Sequence, residues 1–210
     1  MNGRISGLYA VTPDSADTPA LLASVDAALA GGARLLQYRN KTASAALRLT
    51  QGRALLALCW EYQVPLIIND HLDLALALDA GGLHLGSDDG ALPEARRRLG
   101  NGKIFGASCY RRLESALDAQ EAGVDYVAFG GFFPSTVKPS AVRAPLGLLT
   151  DAKQRLTVPV VAIGGITLDN APQLIAAGAD SVAVISALFG APDVRAAARS
   201  FRALFPRHEK

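Results

Sequence analysis

Cysteine is scarce in this 210-residue chain: Cys59 and Cys109 are its only two, at a spacing that suits no metal site. They do not make a disulfide framework, and in a reducing compartment they stay unpaired. An excess of one charge is also missing. Lys and Arg number 21 against 19 Asp and Glu, and the basic residues are spread along the chain instead of gathering in an arm or tail. Nothing in that distribution asks for a nucleic acid partner. Long apolar runs are absent too: none approaches the roughly 18 residues a membrane span requires, and the apolar part of "MNGRISGLYAVTPDS" is too short for a signal peptide. A cytoplasmic protein with no membrane partner is the expectation. What the chain does have is apolar mass. Half of its residues are hydrophobic, enough for one well-buried domain over 1–210 with little left for a second.

That apolar mass is distributed in a repeated phrase. "AGGARLLQYR", "AGGLHLG", "AGVDYVAFGG" and "AAGADSVAVIS" each follow an alanine- and leucine-rich helical stretch. Each is expected to place a glycine where a helix ends in the left-handed conformation, before a short apolar run. "VPLIIND", "VPVVAIGG" and "NGKIFGAS" mark three further helix-to-strand joints, and the opening "SGLYAVT" brings the candidate strands to eight. Between them, segments such as "SAALRLTQGRALLALCWEY" and "RLESALDAQEAG" space apolar residues by three and four, as amphipathic helices do. Continuously apolar strands are those covered on both faces, as in a parallel sheet whose crossovers are helices. The economical reading is a single-domain (β/α)8 TIM barrel, near the short limit for that fold. An open doubly wound sheet is the alternative, although it usually has fewer strands.

A barrel carries its active site where strands end and the following loops begin. Read off those ends, the chain offers Gln37, Arg39 and Lys41; Asn69 and Asp70; His84, then Asp88 and Asp89; Ser108; "GGFFPSTVK" with Lys138; Gly164 and Gly165; and Ser186. The opposite ends, such as Ala33, Pro65 and Pro159, are expected to carry nothing ionisable. Magnesium takes one or two carboxylates plus the oxygens of a phosphorylated substrate, and Asp70 and Asp89 can supply the carboxylates. Arg39, Lys41 and Lys138 add fixed positive charge at the same mouth, suited to holding a diphosphate and neutralising its departing charge. Singly, Asp70 reads as a helix N-cap and Asp88 and Asp89 as loop or cap residues. With three cations at one rim, the set points to metal-assisted departure of a diphosphate.

Taken in order, "YAVT", "QYRNK", "IINDHLDLAL", "GLHLGSDD", "GAS", "DYVAFGGFFPSTVKP", "VVAIGGI" and "ADSVAVIS" resemble the thiamine phosphate synthase family over nearly the whole chain. The resemblance implies a transferase that joins 4-amino-2-methyl-5-(diphosphooxymethyl)pyrimidine to a thiazole ethyl phosphate, or its carboxylated form, and releases diphosphate with the help of Mg2+. It implies a dissociative path, with catalytic roles for Arg39, Lys41, Ser108 and Lys138. By the same resemblance Gln37, Tyr38, Arg39, Asn40, Lys41, Asn69, Ser108 and Lys138 bind the pyrimidine diphosphate. Ser135, Thr136, Val137, Gly165, Ile185 and Ser186 bind the thiazole phosphate, and Asp70 and Asp89 hold the metal. Ser87, "SCY" and Val137 depart from the family pattern, where glutamine, a serine-threonine-histidine run and threonine are common. The implied partners are small phosphorylated molecules, and a homo-oligomer is compatible with the sequence.

Several conspicuous residues have plainer readings. Cys109 reads as a small packing residue. Cys59 and Trp60 read as core or helix-sheet interface. His84 reads equally as a mouth residue and as one hydrogen-bonded within the barrel, and "EARRRLG" as a solvated helix face. Two rival functions are a thiazole tautomerase, which has no use for a diphosphate cage, and a non-catalytic phosphate-ligand sensor, which needs no metal pair.

Overall fold

Eight short apolar segments pair edge to edge until the last meets the first. The computed structural model describes residues 5–86, 92–134 and 143–205. Its strands are β1 (Gly7–Val11), β2 (Leu35–Tyr38), β3 (Leu66–Asn69), β4 (Gly82–Gly86), β5 (Ile104–Tyr110), β6 (Tyr126–Phe129), β7 (Val160–Ile163) and β8 (Ser181–Val184). They form a closed barrel in sequence order, with neighbouring pairs parallel and β8 pairing β1. The helices around it are α1 (Thr18–Ala30), α2 (Ala45–Glu61), α3 (Leu72–Ala77), α4 (Leu92–Leu99), α5 (Leu113–Glu121), α6 (Gly147–Arg155), α7 (Ala171–Ala176), α8 (Ser186–Phe189) and α9 (Val194–Ala203). The (β/α)8 expectation is met, and closure disposes of the open doubly wound alternative.

The alternation of side chains along each strand divides the apolar residues into two clusters. One fills the gap between sheet and helices, with Leu8, Leu36, Phe105, Val127, Phe129 and Val182 among its members. The other fills the barrel interior and contains Tyr9, Val11, Leu35, Ile67, Tyr126, Ala128, Val161 and Ala183. Helix starts follow local chemistry. Asp17, Ser44 and Asp193 each accept a backbone N–H three residues on, capping α1, α2 and α9.

Three of the four repeated joints turn through a left-handed glycine, at Gly32, Gly123 and Gly178. The fourth differs. After α3 the left-handed residue is Asp79, with φ 50°, and neither Gly81 nor Gly82 has positive φ. Those glycines supply room instead: a Cβ on Gly82 would run into the carbonyl of Ile104 and the side chain of Ile67.

The strand-start end is also more highly charged than the sequence suggests. Asp125 and Asp180 stand just before β6 and β8, where each carboxylate accepts a strand N–H, from Phe105 at 2.8 Å and Val160 at 2.7 Å. Arg96 and Lys153 neutralise them. Arg96 therefore does not belong to a solvated face: it pairs with Asp125, lies over the Phe105 ring at 5.2 Å, and donates to three backbone carbonyls. Trp60 departs from expectation in the opposite direction. It is 84% exposed on α2, whereas neighbouring Cys59 is buried, because a helix carries successive residues to different faces. Burial pushes the Cys59 thiol up to about 12, which makes it inert. Cys109 is buried in the layer between sheet and helices, as a packing residue should be.

Candidate active site

The strands' C-terminal ends surround a cavity of about 460 Å3. Period-two alternation aims Gln37 and Arg39 into it from β2 and the loop that follows. The same alternation turns Tyr38 and Asn40 away. The Tyr38 hydroxyl donates to Gln51 Oε1 at 2.7 Å, and Asn40 Nδ2 donates to the same atom at 3.1 Å and to the Ser15 carbonyl at 2.7 Å. These two members of the expected pyrimidine set therefore do not present their side chains to the cavity. They fasten the loop that carries Arg39 and Lys41 to α2.

Asp14, which the sequence reading did not single out, holds the same loop from the other side. Its Oδ1 accepts from Arg39 Nη1 at 3.1 Å and from the Lys41 backbone N–H at 2.9 Å. Thr12 adds two bonds to the Arg39 backbone, donating to its carbonyl and accepting from its N–H. The two cations are thus held on a braced backbone.

Asp70 follows β3 at the same rim, and its Oδ2 lies 3.5 Å from Lys41 Nζ. Its backbone is left-handed, φ 62°, and its N–H donates to the His84 carbonyl at 2.9 Å. The N-cap position of α3 is His71, which makes no side-chain cap bond. Asp70 therefore does not serve as the helix cap its place in the sequence allowed. A non-glycine residue in a sparsely populated conformation, with its carboxylate facing a cavity, is an arrangement that concentrates at functional sites. A hard, partly exposed carboxylate oxygen suits a magnesium ion. Asp89, the other expected ligand, lies outside the described residues, as do Ser87, Asp88, Ser135, Thr136, Val137 and Lys138. Among the described residues no three His, Cys, Asp or Glu side chains gather in one metal-holding group.

The cavity floor is a hydrogen-bonded row of buried polar groups. Gln37 Nε2 donates to the Tyr9 hydroxyl at 2.9 Å, and the Tyr9 and Tyr126 hydroxyls are 2.7 Å apart. Tyr126 then meets His84 Nδ1 at 2.9 Å, and His84 Nε2 meets Ser108 Oγ at 2.8 Å. Gly106 leaves the space that the Tyr126 ring occupies, since a Cβ there would overlap it. Burial pushes the His84 imidazole down to about 4, opposed by the negative charge of Asp70, so the ring is neutral near pH 7. Burial raises both phenols, which stay protonated.

On the far side the cavity opens into a recess of about 210 Å3 lined by Gly164, Gly165, Ile185 and Ser186. Gly164 and Gly165 have φ 103° and 65°. A Cβ on Gly165 would press on the Phe133 and Pro134 carbonyl oxygens, so the backbone approach there requires glycine. The structure thus brings Gln37, Arg39, Lys41, Asn69, Asp70 and Ser108 to one cavity, and Gly165, Ile185 and Ser186 to its adjoining recess. Sequence reasoning missed Tyr9, Tyr126 and Arg111. The tyrosines sit in short apolar runs where period two alone tells inside from outside, and Arg111 reaches the mouth because β5 runs to Tyr110.

A sequence model described as thiamine monophosphate synthase matches residues 8–188. The chain is 56% identical over 202 residues to a thiamine-phosphate synthase of Aromatoleum aromaticum, covering 96% of this chain and 97% of that one. It is also 56% identical over 205 residues to the thiamine-phosphate synthase of Azoarcus sp. strain BH72, covering 98% and 100%. Among solved structures, thiamine phosphate pyrophosphorylase from Pyrococcus furiosus superposes with a TM-score of 0.85 at 38% identity, covering 97% of each chain. The 3-hexulose-6-phosphate synthase of Salmonella typhimurium, at 20% identity and a TM-score of 0.73 over 97% of this chain and all of that one, shares the fold.

Proposed function

The chain belongs to the thiamine monophosphate synthase family, a family of transferases, and from that premise we propose that it couples an aminopyrimidine diphosphate to a thiazole ethyl phosphate with release of diphosphate. The observation that carries this reading is the division of the cavity. Arg39, Lys41 and Asp70 stand on one side, the recess of Gly164, Gly165 and Ser186 on the other, with a polar floor between them. That division supports separate seats for two anionic groups and one polar ring. The carboxylated thiazole remains an alternative acceptor within the same proposal.

In the proposed reaction the carbon-oxygen bond to diphosphate breaks first. The pyrimidinylmethyl cation, stabilised by the electron-rich ring, is captured by the thiazole nitrogen. Neither a general base nor a covalent nucleophile is required. Arg39 and Lys41, with Lys138 proposed to join them, stabilise the negative charge that grows on the departing oxygen. Gln37, Asn69 and Ser108 align the ring, so that the two reactants meet in an ordered pair. Asp70 and Asp89 would hold Mg2+, which when bound adds charge neutralisation at the diphosphate.

A coupling assay with both substrates, with and without Mg2+, tests the proposal. Magnesium-dependent formation of thiamine phosphate and diphosphate is expected. Turnover of the thiazole phosphate alone would instead support the tautomerase, and binding of phosphorylated ligands without turnover would support the sensor.

A further inference from the structure

The hydrogen bonds across the floor are coupled, because each hydroxyl and the neutral imidazole has one proton to give, so the amide end that Gln37 turns to Tyr9, here Nε2, sets the order of all the rest. Gln37 Nε2 donates to Tyr9, and the single Tyr9 proton then goes to Tyr126. Tyr126 has one proton, which goes to His84 Nδ1, and a neutral imidazole with Nδ1 accepting carries its own proton on Nε2. That proton goes to Ser108 Oγ, and the Ser108 hydroxyl proton is left unused by the row.

A mixed order would leave either a buried hydroxyl without an acceptor or two facing phenol oxygens without a proton between them, at a cost of about 1–3 kcal/mol. The row therefore orders as a unit, and turning it round requires Gln37 to present its oxygen to Tyr9. Stacked and edge-on contacts hold the rings that carry these groups: His84 lies over Tyr126 at 5.5 Å and Tyr9 meets Tyr126 edge-on at 5.9 Å.

We propose that Tyr9, Tyr126 and His84 are positioning residues that order protons across the barrel floor, so that Gln37 offers its amide oxygen and Ser108 its hydroxyl proton to the substrate. The identity of that substrate rests on the function proposed above. An acceptor at one end and a donor at the other complement a ring that brings an amino N–H and a ring nitrogen. They oppose the oxo analogue, whose polarity is reversed. The floor thus acts as a specificity element through residues that do not themselves contact the leaving group.

Nitrogen-15 NMR of the ligand-free protein reads the order directly, independently of any activity. His84 is expected as the Nε2–H tautomer with Nδ1 unprotonated. The Nδ1–H tautomer would overturn the proposal, whereas absence of coupling activity with the expected tautomer would count against the function and leave the ordering intact. Kinetics supply the second arm. Tyr126→Phe keeps the ring and removes the link, and is expected to lower kcat/KM for the pyrimidine diphosphate about tenfold while KM for the thiazole phosphate stays within about twofold. In a Ser108→Ala background the same change should add less than about twofold. Full multiplication of the two losses would overturn the proposal, and Tyr9→Phe in the same cycle replaces Tyr126→Phe should that variant fail to fold.

Discussion

Lys41 Nζ lies 3.5 Å from Asp70 Oδ2, a cation from the loop after β2 meeting a carboxylate from the end of β3. Their loops are separately braced, Lys41 through Asp14 and Asp70 through the His84 carbonyl. Opposite charges are thus fixed at one edge of the mouth before any ligand arrives.

Asp70→Asn keeps a residue that tolerates the left-handed backbone and removes the charge. Coupling should fall by roughly 10²-fold at fixed magnesium, with a melting temperature close to wild type. Rates over a magnesium titration, beside calorimetric melting, check this. Near-normal turnover would place the metal elsewhere.

Lys41→Ala should slow the chemical step by about 10²-fold with little change in thiazole phosphate affinity, because the charge it opposes develops only as the bond breaks. Single-turnover kinetics separate the two effects. A change confined to thiazole affinity would contradict the assignment.

Ser186→Ala should weaken thiazole phosphate binding by about tenfold and leave the pyrimidine diphosphate unaffected. Titration calorimetry with each ligand alone decides it. Gly165→Val is a poorer probe, since the added Cβ strikes the Phe133–Pro134 backbone.

His84 sets a pH dependence of stability. Its folded pKa, about 4, lies below the ordinary value of 6.5. Between those values the unfolded chain binds the proton and the folded chain does not, so this contribution to stability falls as pH drops from 6.5 towards 4 and levels off below. Denaturant unfolding from pH 7 to pH 4 should show a slope in wild type that is smaller by about one proton in His84→Gln. An identical slope in both would contradict a buried neutral ring.

Arg96→Ala should cost roughly 2 kcal/mol of stability, through lost packing on Phe105 and an unpaired Asp125, with coupling preserved because the pair lies at the strand-start end. Trp60→Ser, at an exposed helix position, should change stability by less than about 0.5 kcal/mol. Urea denaturation measures both.

The sequence by itself determined the eight-fold alternation and the end at which chemistry gathers, and favoured a barrel over an open sheet. Each of these follows from local pattern: continuously apolar strands, amphipathic helices, and polar residues where strands stop. Within the described residues, Gln37, Arg39, Lys41, Asn69, Asp70 and Ser108 are legible for the same reason, since each lies near the C-terminal end of a strand or follows it. Tertiary structure decided what depends on direction and distance. Tyr38 and Asn40 adjoin cavity residues in sequence, yet the pleat turns their side chains outward to Gln51. Arg96 looks like a surface charge until the neighbouring strands bring Asp125 and Phe105 beneath it. Tyr9 and Tyr126 are 117 residues apart, and only closure of the barrel brings their hydroxyls to 2.7 Å and joins them to His84. Periodicity states which face a residue occupies; a hydrogen bond across the barrel axis needs strands the sequence keeps far apart, and their meeting is fixed by the packing of the whole sheet.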